Sequence, residues 1–293
     1  MIRVNSSYKY IFIILLLFIT SASYAAKPIP FTLSAQGHIV IKAKINGVEG
    51  NFVFDTGAGL NLITKKFAAK VEGAVKQDGG YTTFRATGEQ LTLDIYKIKT
   101  LTMGDYTAPN PTLTIIDADL GEYDGLISLM AFKDQPFTID YQTKEIIFET
   151  DKTLTSIKKQ GSIVPLQIGA DRDKALDIFA YFRVNDKLTL QFSMDSGAGA
   201  NVYRVNAKYI TALGVDTVNA PKTYHASEFN PQLKTTIYTA NIQKISVKDF
   251  PAINCQNIKA SFINGLIYDG IMYINWLGQK ITFDLKHEVM IVR

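Results

Sequence analysis

With 293 residues, 47% of them hydrophobic and 20% charged, the chain can bury a sizeable core, and a disordered protein is excluded. The formal net charge is only +4, and no basic stripe with interleaved aromatics is present, so the composition excludes a nucleic-acid-binding function. The one cysteine, Cys255, cannot form a disulfide within the chain and is read as a packing residue, so export has to be argued on other grounds.

Those grounds lie at the N-terminus. Arg3 and Lys9 form a basic start, residues 10–19 are an apolar run of ten, and Ser23-Tyr24-Ala25 resembles a small-residue cleavage site before Ala26. The run is too short to span a bilayer comfortably. Residues 1–25 are therefore expected to be a signal peptide, the alternative being an uncleaved N-terminal anchor. No later run reaches spanning length. The protein is expected to be exported, periplasmic or extracellular, with no stable membrane insertion after cleavage.

Residues 38–45 alternate partly and read as a strand, and Ile45-Asn46-Gly47 signals a hairpin turn. The apolar run 51–54 enters Asp55-Thr56-Gly57-Ala58-Gly59-Leu60-Asn61. A short helix follows at 65–71, and 90–98 is rich in Thr, Ile, Leu and Tyr, as strands tend to be. Asp117, Asp119 and Glu122 form an acidic loop whose spacing does not match an EF-hand, and it reads as a solvated turn. Tyr123-Asp124-Gly125-Leu126-Ile127 and Phe137-Thr138-Ile139-Asp140 complete this half. Residues 151–162 are polar and charged, contain Gly161 near their end, and read as a linker.

The same order then returns. Residues 177–184 read as a strand, and Val184-Asn185-Asp186 as a hairpin turn. The apolar run 189–194 enters Asp195-Ser196-Gly197-Ala198-Gly199-Ala200-Asn201. A short helix is expected at 206–213 and a strand at 235–242, followed by Tyr268-Asp269-Gly270-Ile271-Met272 and Ile281-Thr282-Phe283-Asp284. The Asp motifs are offset by 140 residues and the two later blocks by 145 and 144. Matched blocks in one order with a slowly drifting offset imply an internal duplication with small insertions. The expected domains are an N-terminal lobe at 26–150, the linker at 151–162 and a C-terminal lobe at 163–293.

One Asp-hydroxyl-Gly motif alone reads as an ordinary turn, because Asp and Ser bond nearby backbone and Gly takes positive φ. Here both copies end an apolar strand, and both continue into Gly-Ala-Gly, which permits close backbone approach. Duplicated lobes usually pack about a pseudo-twofold axis, where equivalent loops can meet. Two carboxylates brought close share a proton, because both cannot readily ionise. Such a pair can hold a water, take its proton as it attacks a carbonyl, and donate to the carbonyl oxygen and then to the leaving nitrogen. That chemistry needs no metal and no cofactor, and Thr56 and Ser196 would orient the loops.

Asp55-Thr56-Gly57-Ala58 and Asp195-Ser196-Gly197-Ala198, each followed by a late Asp-Gly-apolar-apolar element, resemble the aspartic peptidases. Each half is similar to the retropepsin-type domains of bacterial proteins, and the tandem arrangement is similar to pepsin. The resemblance covers nearly all of residues 35–293. It implies an all-β, bilobal acid-protease fold of two related barrels, with Asp55 and Asp195 as the catalytic pair and Thr56, Gly57, Ser196 and Gly197 supporting the catalytic loops. It also implies a polypeptide substrate, a monomer, and a β-hairpin flap within 78–90. Tyr81 is the candidate flap tyrosine, with Tyr224 its counterpart; an ordinary strand aromatic is the alternative for Tyr81. The chain departs from the family pattern where the late element usually ends in Gly. Ser128 and Tyr273 stand there, and bulky Tyr273 bears on cleft geometry.

His38, His225 and His287 are scattered without metal-ligand spacing, so no metal is expected. No Gly-x-Ser-x-Gly elbow surrounds Ser128 or Ser196, which argues against a serine hydrolase. Asp124 and Asp269 read as turn acids bonded to backbone, and Trp276 as core. The leading expectation is an aspartic endopeptidase. The alternative is a catalytically inactive protein of the same fold that binds peptides between its lobes. A structural or carbohydrate-binding β protein has no need of both acids, and a glycosidase pair would not sit in symmetric loops with these flanks.

Overall fold

The computed structural model describes residues 27–293 except 217, 227–231 and 233. The expected signal peptide lies outside the described residues. The chain is mostly β, as the all-β acid-protease expectation requires, with one sheet of fifteen strands and one of eight among the described residues.

Alternation builds the strands. After β1 (Ile29–Leu33), β2 (Ile39–Ile45) buries Ile39, Ile41, Ala43 and Ile45 and turns Lys42 and Lys44 to solvent. Asn46 and Gly47, at φ 48° and 86°, make the tight turn into β3 (Val48–Asp55). A two-residue turn of this hand matches strand twist and selects Asn-Gly. Next come β4 (Leu62–Thr64), a one-turn helix at Lys65–Ala68, β5 (Val75–Phe84) and β6 (Gln90–Lys97). The small hairpin β7 (Leu101–Met103) and β8 (Tyr106–Thr107) packs on the end of β2. β9 (Thr112–Ile116), β10 (Gly125–Ser128), β11 (Phe137–Asp140) and β12 (Glu145–Phe148) complete the first half.

Residues 151–162, expected as a polar linker, hold a ten-residue helix, Asp151–Gln160. Thr150 caps it through the Thr153 amide, and the Thr153 hydroxyl caps Thr150 in return. Its apolar face, Leu154 and Ile157, packs on Ile291. The second half runs through β13 (Ser162–Pro165), β14 (Gln167–Asp171), β15 (Ala175–Val184), β16 (Leu188–Met194) and β17 (Tyr203–Asn206). A 3-10 turn at Ala207–Tyr209 leads into a helix at Ile210–Leu213. Then follow β18 (Lys222–Ala226), β19 (Lys234–Val247), β20 (Phe250–Ile263), β21 (Gly270–Met272), β22 (Lys280–Asp284) and β23 (Val289–Val292).

The two halves repeat one pairing order: β3-β10-β4-β9-β6-β5 in the first and β16-β21-β17-β20-β19-β18 in the second. In both, the strand carrying the Asp motif lies parallel to the strand of the Asp-Gly element, with Gly125 opposite Phe52 and Gly270 opposite Phe192. The halves are joined by β13-β23-β22-β11-β12-β1, with β11 antiparallel to β22 and Thr138 opposite Thr282. The two threonine hydroxyls lie 2.7 Å apart, and the Phe137 and Phe283 rings stack at 5.3 Å. One continuous apolar core runs through both halves, from Phe52, Phe54 and Phe132 to Phe182, Phe192 and Phe262. This shared sheet holds the two Asp-bearing strands in a fixed relation.

Candidate active site

β3 ends at Asp55, and β16 ends one residue before Asp195. The preceding side chains, Phe52, Phe54, Phe192 and Met194, are fully buried, so the apolar runs pull both acids to the centre of the molecule. There the loops interlock. The Thr56 amide donates to Ser196 Oγ at 3.0 Å, and the Ser196 amide donates to Thr56 Oγ1 at 3.0 Å. The Thr56 hydroxyl donates to the Met194 carbonyl at 2.6 Å, and the Ser196 hydroxyl donates to the Phe54 carbonyl at 2.8 Å. Each hydroxyl both accepts and donates, so two fully buried polar side chains leave nothing unsatisfied.

Gly57 and Gly197 answer to close approach. A Cβ at Gly57 would lie 2.5 Å from Asp195 Cγ, and one at Gly197 would fall on the Asp55 carboxyl. The missing side chains let the carboxyl of each half rest on the backbone of the other. The structure thus brings Asp55, Thr56, Gly57, Asp195, Ser196 and Gly197 into one constellation, with each carboxyl set against the glycine of the other loop and within reach of the other acid's charge.

Burial pushes the Asp55 pKa up, although the Gly57 amide, at 2.8 Å, and the Ala58 and Gly197 amides favour its ionised form. Burial pushes Asp195 well above the usual carboxylate range, the Asp55 charge adds to this, and Arg204 opposes it. Asp195 Oδ1 is buried and has no hydrogen-bond donor among the described residues. Two buried carboxyls in contact share a proton, because a second negative charge there would be both desolvated and repelled.

The departures from the expected glycine pattern have structural answers. The Ser128 amide and hydroxyl both donate to Asn61 Oδ1, at 2.9 and 3.2 Å, which ties the Asp-Gly element to the end of the Asp55 motif. Tyr273 is buried, its amide donates to the Val202 carbonyl at 3.1 Å, and its hydroxyl donates to the Gly37 carbonyl across the halves. Asp124 and Asp269 are turn acids: they accept from the Asn51 and Gln191 amides at 2.9 and 3.3 Å.

Tyr81 lies on β5 in the β5–β6 hairpin, within the span expected for the flap. It is buried with Leu60, Ile95 and Ala175, and the Arg172 guanidinium lies 5.4 Å from its ring centre. It therefore clasps the β14–β15 hairpin of the other half. The hairpin turn reaches the second half as well, the Ile267 amide donating to the Ala86 carbonyl at 3.0 Å. Tyr224, on β18, is exposed.

Three neighbours of the acids escaped the sequence reading. Asp177 on β15 lies against Gly59, where a Cβ would be 3.3 Å from its Oδ1. His38 takes the corresponding place beside Gly199, with Nε2 3.4 Å from a Cβ there. Arg204, on β17, acts on Asp195 through its charge. The signal for Asp177 was a lone acid inside the apolar run 175–180; Arg204 and His38 carried none. Among the described residues no group of three or more His, Cys, Asp or Glu is arranged to hold a metal ion.

A family model described as aspartyl protease matches residues 41–131. The matched stretch contains the Asp55 motif, the β5–β6 hairpin and the Asp124-Gly125 element. Among curated proteins no match was found. The family match supports an aspartyl protease domain at residues 41–131 and aspartic protease function in general.

Proposed function

We propose that the chain is an exported aspartic endopeptidase in which two duplicated lobes supply one catalytic acid each. The observation that carries this reading is the reciprocal placement of Asp55 and Asp195, the carboxyl of each seated on the other loop's glycine. The repeated pairing order of the halves supports the duplication.

The raised pKa values keep one proton on the pair over a wide pH range. The ionised carboxyl, with the Gly57 amide directed at it, takes a proton from a water as the water attacks the peptide carbonyl. The protonated partner donates to the carbonyl oxygen, and the proton passes on to the leaving nitrogen as the C–N bond breaks. The Thr56–Ser196 interlock keeps the acids from drifting apart, since small misplacements of reacting groups are costly. The β5–β6 hairpin, bonded to the second half at Ala86 and packed on it at Tyr81, covers the site and must release for a polypeptide to enter.

The alternative of a peptide-binding protein without turnover rested on bulky Tyr273. The Tyr273 ring is buried and its hydroxyl is engaged by Gly37, which supports the catalytic reading. The test is hydrolysis of unfolded protein and peptide libraries across about pH 3–8, a range spanning the carboxylate pKa values, with a transition-state-analogue inhibitor of aspartic peptidases as control. Binding of peptides without any cleavage would move the reading to the inactive form, and Tyr273→Gly would then test whether that residue closes the site.

A further inference from the structure

Asp177 stands beside the dyad, and the proposed chemistry does not use it. It lies on β15, whose alternate residues Leu176, Ile178 and Ala180 are buried while Asp177 and Phe179 face away from that core. The Leu176 amide donates to the Gly59 carbonyl at 3.0 Å, which pins this stretch of β15 to the Asp55 loop and fixes Asp177 relative to the dyad. Across the strand pair its partner is Gly169, which has no side chain to cover it.

The Asp177 carboxylate is half-buried, yet no described residue gives it a hydrogen bond or an ion pair. Away from the dyad, the more deeply buried Asp140 and Asp284 are matched by Lys280 and Lys158, and Asp269 by Lys208 and Tyr209. Arg172, in the same hairpin, is turned to Asp171 and to the Tyr81 ring. A partly desolvated carboxylate with no partner is costly unless something arrives to pair with it. Its surroundings are aromatic. Its charge acts on the Tyr81 and Tyr268 hydroxyls, and Tyr268 packs on Phe179 at 5.1 Å. Carboxylate and aromatic faces together fit an ammonium or guanidinium group on an aliphatic stem. Burial and then the Asp55 charge push Asp177 up to about 6, which leaves it largely ionised at neutral pH. The corresponding place in the first half holds His38, so the two sides of the dyad differ in charge character and a bound chain has a preferred direction.

We propose that Asp177 is the specificity-determining residue of this site, receiving a lysine or arginine side chain of the polypeptide adjacent to the bond that is cut. The inference rests on the endopeptidase reading for the word "cut", but it can be tested by binding alone. N-acetylated, C-amidated peptides that differ only in carrying lysine, norleucine or glutamate at one position, stepped along the peptide, would be titrated against Asp195→Asn protein. The blocked ends ensure that a side chain and not a terminal amine is read.

At one position the lysine peptide should bind about tenfold more tightly than its norleucine twin, the scale of a charge-assisted contact. That ratio should fall to about one when Asp177→Asn is added. Asp177→Lys should turn the preference to glutamate, which a variant that had merely lost its shape could not do. The ratio of kcat/KM values in protein with both dyad acids should follow the same pattern. A lysine-to-norleucine ratio that survives Asp177→Asn, or peptides that show no preference at any position, would overturn the inference. Asp177-dependent lysine binding without hydrolysis by the wild-type protein would sink the endopeptidase reading and leave this one standing; hydrolysis with a ratio of one does the reverse.

Discussion

Gly57 and Asp195 share one space: the carboxyl of the second occupies the volume a side chain on the first would need, with an ideal Cβ only 2.5 Å from Asp195 Cγ. Gly197 and Asp55 repeat the relationship in the other direction. Gly57→Ala and Gly197→Ala should each push the carboxyls apart and lower kcat/KM by at least about a hundredfold, the scale of a 1 Å misplacement. Enzyme kinetics together with thermal melts would check this. Full activity in either alanine variant would mean the carboxyl contact is not needed for turnover.

Asp55→Asn and Asp195→Asn should each abolish hydrolysis, because Asn cannot share or transfer the proton. Both should also raise the melting temperature at pH 7–8. The folded-state pKa values are raised by burial. The stability these acids contribute is therefore full below about pH 4, the unfolded value, and is lost as pH rises through the folded values. The advantage of Asn should shrink on acidification. Melting curves at several pH values measure it, and an Asn variant less stable than the wild type at pH 8 would contradict the burial argument.

Thr56→Ala and Ser196→Ala each leave a buried amide and a buried carbonyl without a partner. Each should cost about 1–3 kcal/mol. The double variant should cost less than the two single losses together, because the four bonds form one interlock. Chemical denaturation of the four proteins gives the coupling directly; strict additivity would argue against a shared network.

Asp140 and Asp284 work in the opposite sense from the dyad. Burial would raise their pKa, but hydrogen bonds from Lys280 to Asp140 and from Lys158 and His287 to Asp284 outweigh it and hold both below the usual range. Their stabilisation is present above about pH 4 and is lost as pH falls through the folded values. Stability should therefore peak in mildly acidic solution and collapse below about pH 4. Lys280→Ala should cost about 2 kcal/mol at pH 7, a figure reduced for the partial exposure of the lysine, and the cost should vanish in acid. A denaturation series in pH with and without the substitution tests both parts.

Selectivity for a basic side chain should carry its own pH signature. Asp177 must be ionised to receive a cation, and the groups facing it are Asp55, Tyr81 and Tyr268. The lysine-to-norleucine binding ratio should decline as pH falls through about 6. Peptide titrations from neutral to mildly acidic pH would reveal it, and a ratio independent of pH would point to a neutral pocket.

The sequence made the strand content legible because period-two alternation is strong in stretches such as 39–45, and it made the two Asp loops legible because their flanking residues recur in order. The turns at Asn46-Gly47 and Asn185-Asp186 declared themselves through residues that tolerate positive φ. The helix at Asp151–Gln160 was hidden by a polar, Lys-rich composition in which only Leu154 and Ile157 mark the buried face. The placement of Tyr81 against Ala175, and of Asp177 against Gly59, depends on contacts between distant segments that no local pattern encodes.

The sheet joining the halves bears on the order in which the chain can fold. β11 takes β22 as its neighbour on one side, and β22 in turn is flanked by β23, which ends at Val292. A chain synthesised only through residue 150 therefore presents β11 as a bare edge with Phe137, Ile139 and Thr138 ready to pair with any extended strand. The first half cannot finish its own sheet until β22, Lys280–Asp284, has been made. A fragment of the first 150 residues should accordingly aggregate or pair edge to edge, and supplying residues 151–293 in trans should rescue it by covering that edge.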